Sequence, residues 1–94
     1  MTWYQVNWIK TPKGNAINEG SKLTIKINKP NVDHISFGIY QNGFPVLAGF
    51  GKGNTASILV QRKGKNLSGA ATLKVRGYTK DYKGFGIDDA FIII

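Results

Sequence analysis

His34 is the single histidine of this 94-residue chain and directly follows Asp33, the one place where an imidazole stands beside a carboxylate in sequence. A general base needs an orienting group within hydrogen-bond reach. Consecutive residues of a regular strand point to opposite faces, so this pair could work as base and orienter only across an unusual bend. The four serines, Ser21, Ser36, Ser57 and Ser68, lie outside any Gly-x-Ser-x-Gly elbow and have no second histidine to activate them. There is no cysteine, which removes disulfides, thiolate metal sites and a thiol nucleophile. The five acids are Glu19, Asp33, Asp81, Asp88 and Asp89, and adjacent Asp88 and Asp89 would project to opposite sides of a strand. Their spacing matches no EF-hand loop, so turn and cap roles are expected in place of Ca²⁺ ligation. No catalytic residue, metal ligand or cofactor is expected, and the chain reads as non-enzymatic.

Gly49-Phe50-Gly51-Lys52-Gly53-Asn54 has the glycine density of a phosphate-cradling loop but lacks the Gly-Lys-Ser/Thr ending. A strand follows it, so no helix N-terminus is available for a phosphate. It reads as a strand connection. Asn66-Leu67-Ser68 fits an N-glycosylation sequon, a pattern with meaning only in a eukaryotic secretory setting.

The residues that remain suit binding. Thirteen Lys and Arg against five acids give a net charge of +8, which favours association with polyanions. Cations neutralise a charged backbone while aromatic faces stack on bases or sugars. The expected ligand contacts are Lys22, Lys26, Lys74 and Arg76 on outward strand faces, Arg62, Lys63 and Lys65 in a loop, and Tyr78 and Tyr82 as an exposed aromatic pair. Trp3, Tyr4, Trp8 and Tyr40 are further aromatic candidates. Trp8 shares a strand face with Tyr4 and Val6 and is expected in the core.

The elements that must position these side chains are strands. Twelve glycines are spread along the chain, and no segment sustains a 3.6-residue apolar period. The clearest unit is a hairpin, His34 to Gln41 and Phe44 to Phe50 about Asn42-Gly43, the residue pair of a type I′ turn. Setting Gln41 opposite Phe44 makes Ile39 face Val46, Phe37 face Ala48 and Ile35 face Phe50, all apolar pairs. In 22–28 the alternation points Leu23, Ile25 and Ile27 inward, and in 72–76 it buries Leu73 and Val75. Trp3 to Ile9, Thr55 to Gln61 and Phe85 to Ile94 complete about seven strands. Thr11 to Asn15, Gly51 to Asn54, Arg62 to Asn66 and Lys80 to Gly84 read as loops. This is the pattern of a single all-β domain over residues 1–94, an antiparallel β-sandwich of Ig-like or jelly-roll-like kind or a partly open barrel. The last strand is apolar on both faces, which suits a central, covered strand, or else pairing with a second chain through residues 90–94.

Lys83-Gly84-Phe85-Gly86-Ile87 resembles a five-residue stretch of cold-shock domains, which implies an OB fold stacking bases on aromatics. The ending from Phe85 to Ile93 resembles the closing strand of jelly-roll carbohydrate-binding modules, which implies sugar recognition. Both matches are short, and neither assigns a family.

The expected function is a non-catalytic module that binds an extended polyanion, foremost nucleic acid. The alternatives are a carbohydrate-binding or surface-display module of a virion or cell envelope, and a small interaction or inhibitor protein that binds an acidic protein surface. The N-terminus lacks the basic and apolar regions of a signal peptide, which favours a cytoplasmic or virion-associated setting while the compartment stays open. No run approaches the ~20 apolar residues of a transmembrane helix.

Overall fold

The computed structural model describes residues 4–94, which form nine strands and no helix. Trp3, an aromatic candidate, lies outside the described residues. The strands are β1 (Tyr4–Val6), β2 (Ile9–Thr11), β3 (Gly14–Ile17), β4 (Lys22–Ile27), β5 (Val32–Gln41), β6 (Phe44–Lys52), β7 (Thr55–Leu59), β8 (Gly69–Thr79) and β9 (Gly84–Ile93). They make a three-stranded sheet, β1-β4-β7, facing a six-stranded sheet, β2-β3-β9-β8-β5-β6. The expected all-β sandwich is therefore the fold. It carries two more strands than the alternation indicated. Trp3 to Ile9 does not run as one strand, because β1 joins the smaller sheet and β2 the larger. The segment expected as a loop at 11–15 contributes to a hairpin, β2-β3, whose turn is held by Thr11 Oγ1 donating to the Gly14 carbonyl at 2.8 Å.

The core lies where the two sheets face each other. Leu23, Ile25 and Ile27 of β4 are fully buried, as are Ile35 and Ile39 of β5 and Val75 of β8. Burial of such a side chain contributes about 1.5–3 kcal/mol, so period-two alternation is the main reason these segments settle as strands with a fixed inner face. Trp8 is half-buried against this core, its ring 4.8 Å from that of Phe91.

β9 is central. It pairs in parallel with β3, Ile17 opposite Ile93, and antiparallel with β8 from Gly69↔Ile93 to Tyr78↔Gly84. Over residues 92–94 its outer edge is taken by Ala16, Ile17 and Glu19 and its inner edge up to Ile93 by β8, which corrects the expectation of a homodimer through residues 90–94. The cold-shock resemblance is corrected at the same strand. Phe85 packs on the core, and a Cβ on buried Gly77 would come within 2.3 Å of its ring, so this ring is no exposed base-stacking platform.

The β5-β6 hairpin turns where expected, with Asn42 at φ 52° and Gly43 at φ 80°. Gln41 faces Phe44 and Tyr40 faces Pro45, but the register then slips so that Ile39 faces Leu47, Gly38 faces Ala48 and Ser36 faces Phe50. Val46 is the extra residue of a β-bulge, and every β6 side chain beyond it sits on the face opposite to the one expected. Close packing accounts for the slip. Gly49 and Gly51 now face inward, where a Cβ would lie 2.6 Å from the Phe37 ring and 2.0 Å from the Thr55 carbonyl oxygen, respectively. Only residues without side chains fit there, so Phe50 goes outward and is 61% exposed.

Candidate functional site

A second bulge lies at the other end of β5. Val32 faces Thr79 and His34 faces Tyr78, leaving Asp33 as the unpaired extra residue. Its carbonyl accepts from the Gly53 N–H at 2.7 Å, in the turn between β6 and β7. This is the unusual bend that a regular strand would lack. The Asp33 side chain swings beside its neighbour, and Oδ2 lies 2.8 Å from Nδ1 of His34. The pair is an oriented imidazole, contrary to the expectation of two residues pointing apart.

The two bulges converge on the outer face of the six-stranded sheet. Phe50 on β6, His34 on β5 and Tyr78 on β8 form a row of rings across three strands, with His34 centred 5.6 Å from Phe50 and 5.4 Å from Tyr78. Beside this row the sheet surface drops into a slot of about 380 Å³. Ser36, Gly38 and Ala48 are its small-residue floor, Tyr40 and Pro45 close the far side, and Lys74 and Arg76 flank it on β8. A Cβ on Gly38 would meet the Tyr40 ring at 2.8 Å, so glycine lets that ring lie along the strand.

The two flanking cations differ. Arg76 lies across Gly86 on β9, where Nη1 donates to Asp88 Oδ1 at 2.8 Å and to the Val75 carbonyl at 2.7 Å. The guanidinium hydrogen bond holds the Asp88 carboxyl below the usual carboxylate range, and the positive charges of Arg76 and Lys74 add to the effect. Lys74 is half-buried opposite Gly38, with Nζ 5.0 Å from the centre of the Tyr40 ring. Among the described residues Lys74 joins none of the three ion pairs.

The remaining expected contacts are dispersed. Lys22 and Lys26 project from β4 on the outer face of the three-stranded sheet, across the sandwich from Lys74 and Arg76. Arg62, Lys63 and Lys65 are exposed in the connection from β7 to β8. That connection is fixed at buried Leu67, whose N–H donates to Glu19 Oε2 at 2.9 Å and whose carbonyl accepts from Gln41 Nε2 at 2.6 Å. Tyr78 belongs to the ring row, whereas Tyr82 is 90% exposed in the β8-β9 turn at φ 65°, and no ring contact joins the two.

The acids are also separate. Asp88 pairs with Arg76, Asp81 accepts from Thr79 Oγ1, and Asp89 accepts from Tyr4 Oη at 2.6 Å, tying β9 of one sheet to β1 of the other. The bond to Asp89, with some burial, pushes the Tyr4 phenol up to about 12. Among the described residues no three His, Asp, Glu or Cys side chains gather as a metal site. The Ser36 hydroxyl faces the Arg76 carbonyl at 3.4 Å. No helix is long and apolar enough to cross a membrane.

No family profile and no curated protein matches the chain. Among solved structures it is similar to CopC from Methylosinus trichosporium OB3b, with a TM-score of 0.64 and 14% identity over 83% of this chain and 80% of that one. The likeness places the fold among CopC-like β-sandwiches. The expected function, a module for an extended polyanion, is corrected, since this likeness gives it no support. The geometry gives the physical reason: the cations lie on opposite faces and at one end, with no continuous track for a polymer. The alternatives of glycan binding or surface display lose their paired Tyr78 and Tyr82. The acidic-protein reading loses both the single basic face and the free terminal strand on which it depended.

Proposed function

We propose that the chain is a non-catalytic recognition domain whose working surface is the outer face of the six-stranded sheet, and that its ligand is a compact, flat, π-bearing molecule. The observation that carries this reading is the row Phe50, His34 and Tyr78, two residues along their strands from Ala48, Ser36 and Arg76, which line the slot. Ligand sites are concavities of roughly 300–1,000 Å³ with mostly apolar walls and a few placed polar groups, and this slot falls at the small end of that range. Exposed rings on a sheet surface are otherwise costly, because they invite non-specific association. The CopC-like fold supplies a rigid platform and does not itself define the ligand.

Titration of the ¹⁵N-labelled protein with 2-naphthol tests this reading. The amide signals of Gly38, Ala48 and Tyr78 shift together, Phe50→Ala and Tyr78→Ala each weaken binding severalfold, and Lys26→Ala on the opposite face leaves it unchanged. Absence of shifts at millimolar ligand, or shifts centred on β4, sinks the reading.

One observation favours a second reading, a single metal ion. A carboxylate on Nδ1 of a histidine fixes the tautomer that leaves Nε2 free for a borderline cation such as Cu²⁺ or Zn²⁺. His34 and Asp33 have that arrangement. Among the described residues no third His, Asp, Glu or Cys side chain joins the pair. Calorimetric titration with Cu²⁺ separates the readings: binding lost in His34→Ala but kept in Tyr78→Ala supports the ion.

A further inference from the structure

We infer that the ligand of the slot carries one negative group and that Lys74 is the residue that receives it. This rests on the outer sheet face being the binding surface. Two cations flank the slot, and their surroundings give them different tasks. Arg76 is neutralised by Asp88 and draped over Gly86, so it forms part of the slot's frame. Lys74 stands opposite Asp88 in the register and its charge reaches that carboxylate, but it joins none of the ion pairs among the described residues and rests its ammonium over the Tyr40 ring. A cation in direct contact with a ring face and with no carboxylate is readily re-paired by an anion, because an ammonium–carboxylate contact is stronger than an exposed cation–π contact.

Geometry favours the same residue. Lys74 stands opposite Gly38 in the register, and the Tyr40 ring lies in the space that a Gly38 side chain would take, with Nζ above it. An acidic group of a flat ligand resting beside that ring meets Nζ at the slot's flank. The half-buried position of Lys74 reduces solvent screening of that contact. A second negative group is disfavoured, since the next cation along β8 is already matched by Asp88, whose charge leaves Lys74 room for one anion at most. The ligand class is therefore an aromatic monoanion, with an aromatic carboxylate as its simplest member.

Two probes of equal shape and different charge test the inference: 2-naphthoate and 2-naphthamide, titrated into the full ¹⁵N-labelled chain. Naphthoate binds roughly tenfold more tightly, the scale of one charge-assisted contact. Lys74→Gln brings naphthoate down to the affinity of naphthamide without moving the shifted signals elsewhere, and Lys74→Arg restores the preference. Amide dispersion of each variant reports that it is folded. If the two probes bind the wild-type slot equally, or if Lys74→Gln keeps the preference, the inference is overturned while the proposed surface stands. If neither probe perturbs Gly38 and Ala48, the surface itself is wrong and the inference falls with it.

Discussion

The two outer faces of the sandwich are built from the same alternation yet differ in kind. On the smaller sheet, Gln5 faces Lys26, Thr24 faces Ser57 and Lys22 faces Leu59 in an uninterrupted register, giving an ordinary solvated surface. On the larger sheet, bulges at Asp33 and Val46 reorient an acid and reverse a strand, and rings, an oriented imidazole and a slot result. The difference teaches that charge and composition do not mark the special face. Two extra backbone residues do, because each moves the side chains beyond it to the opposite face of its strand.

The contrast is broken most severely by filling the space that forces Phe50 outward. Gly51→Val sets a side chain against the Thr55 carbonyl, a backbone atom that cannot yield, and denaturant unfolding should show a loss of about 3 kcal/mol. Next comes the clasp between the sheets. Tyr4→Phe removes the bond to Asp89 and should cost about 1 kcal/mol near neutral pH, the ordinary value for a hydrogen bond partly open to solvent.

The alkaline limb of the same clasp has a definite sign. The folded phenol is raised from 10.0 to about 12, so its contribution is complete below pH 10 and disappears as pH rises from there through 12. Thermal melts across that window should fall more steeply for the wild type than for Tyr4→Phe, and absorbance at 295 nm should show one of the four tyrosines titrating late.

Gly38→Ala sharpens the contrast with a smaller effect. The added methyl meets only the movable Tyr40 ring, so stability should change by less than about 1 kcal/mol while binding of 2-naphthol falls. Smallest is Arg76→Ala. Asp88 has a depressed folded pKa, so its stabilisation is present above the ordinary carboxylate range and lost as pH falls through the folded value. Carboxyl-carbon NMR should show the Asp88 midpoint rising toward its ordinary value in the variant.

Much of the frame was legible in the sequence because it depends on period two alone. Leu23, Ile25 and Ile27 are buried and Lys22 and Lys26 exposed as alternation requires, and Asn42-Gly43 turns the hairpin with both φ values positive. The site was not legible, for a physical reason. Apolar pairing of Ile35 with Phe50 and Phe37 with Ala48 looks better by hydrophobicity than the observed pairing with Gly51 and Gly49. What decides the register is backbone proximity to Thr55 and the space taken by the Phe37 ring, both of which depend on strands distant in sequence. A faint signal was present in Gly49 and Gly51, spaced by two, which mark one side of a strand as needing no side chains. Asp33 and His34 were set apart by the rule for regular strands, and an irregular one brought them together.

The place of β9 between β3 and β8 has a consequence for how the molecule is made. A ribosome delivers this strand after the other eight, so until residue 93 has emerged the larger sheet remains two separate pieces with bare inward rims. Those pieces hold the ring row before the molecule has its full stability, and a chain stalled short of Gly84 offers rim and rings together to its neighbours on the same message. Closure of the larger sheet must wait for β9, and the face that carries the ring row stays open at its rim during that wait.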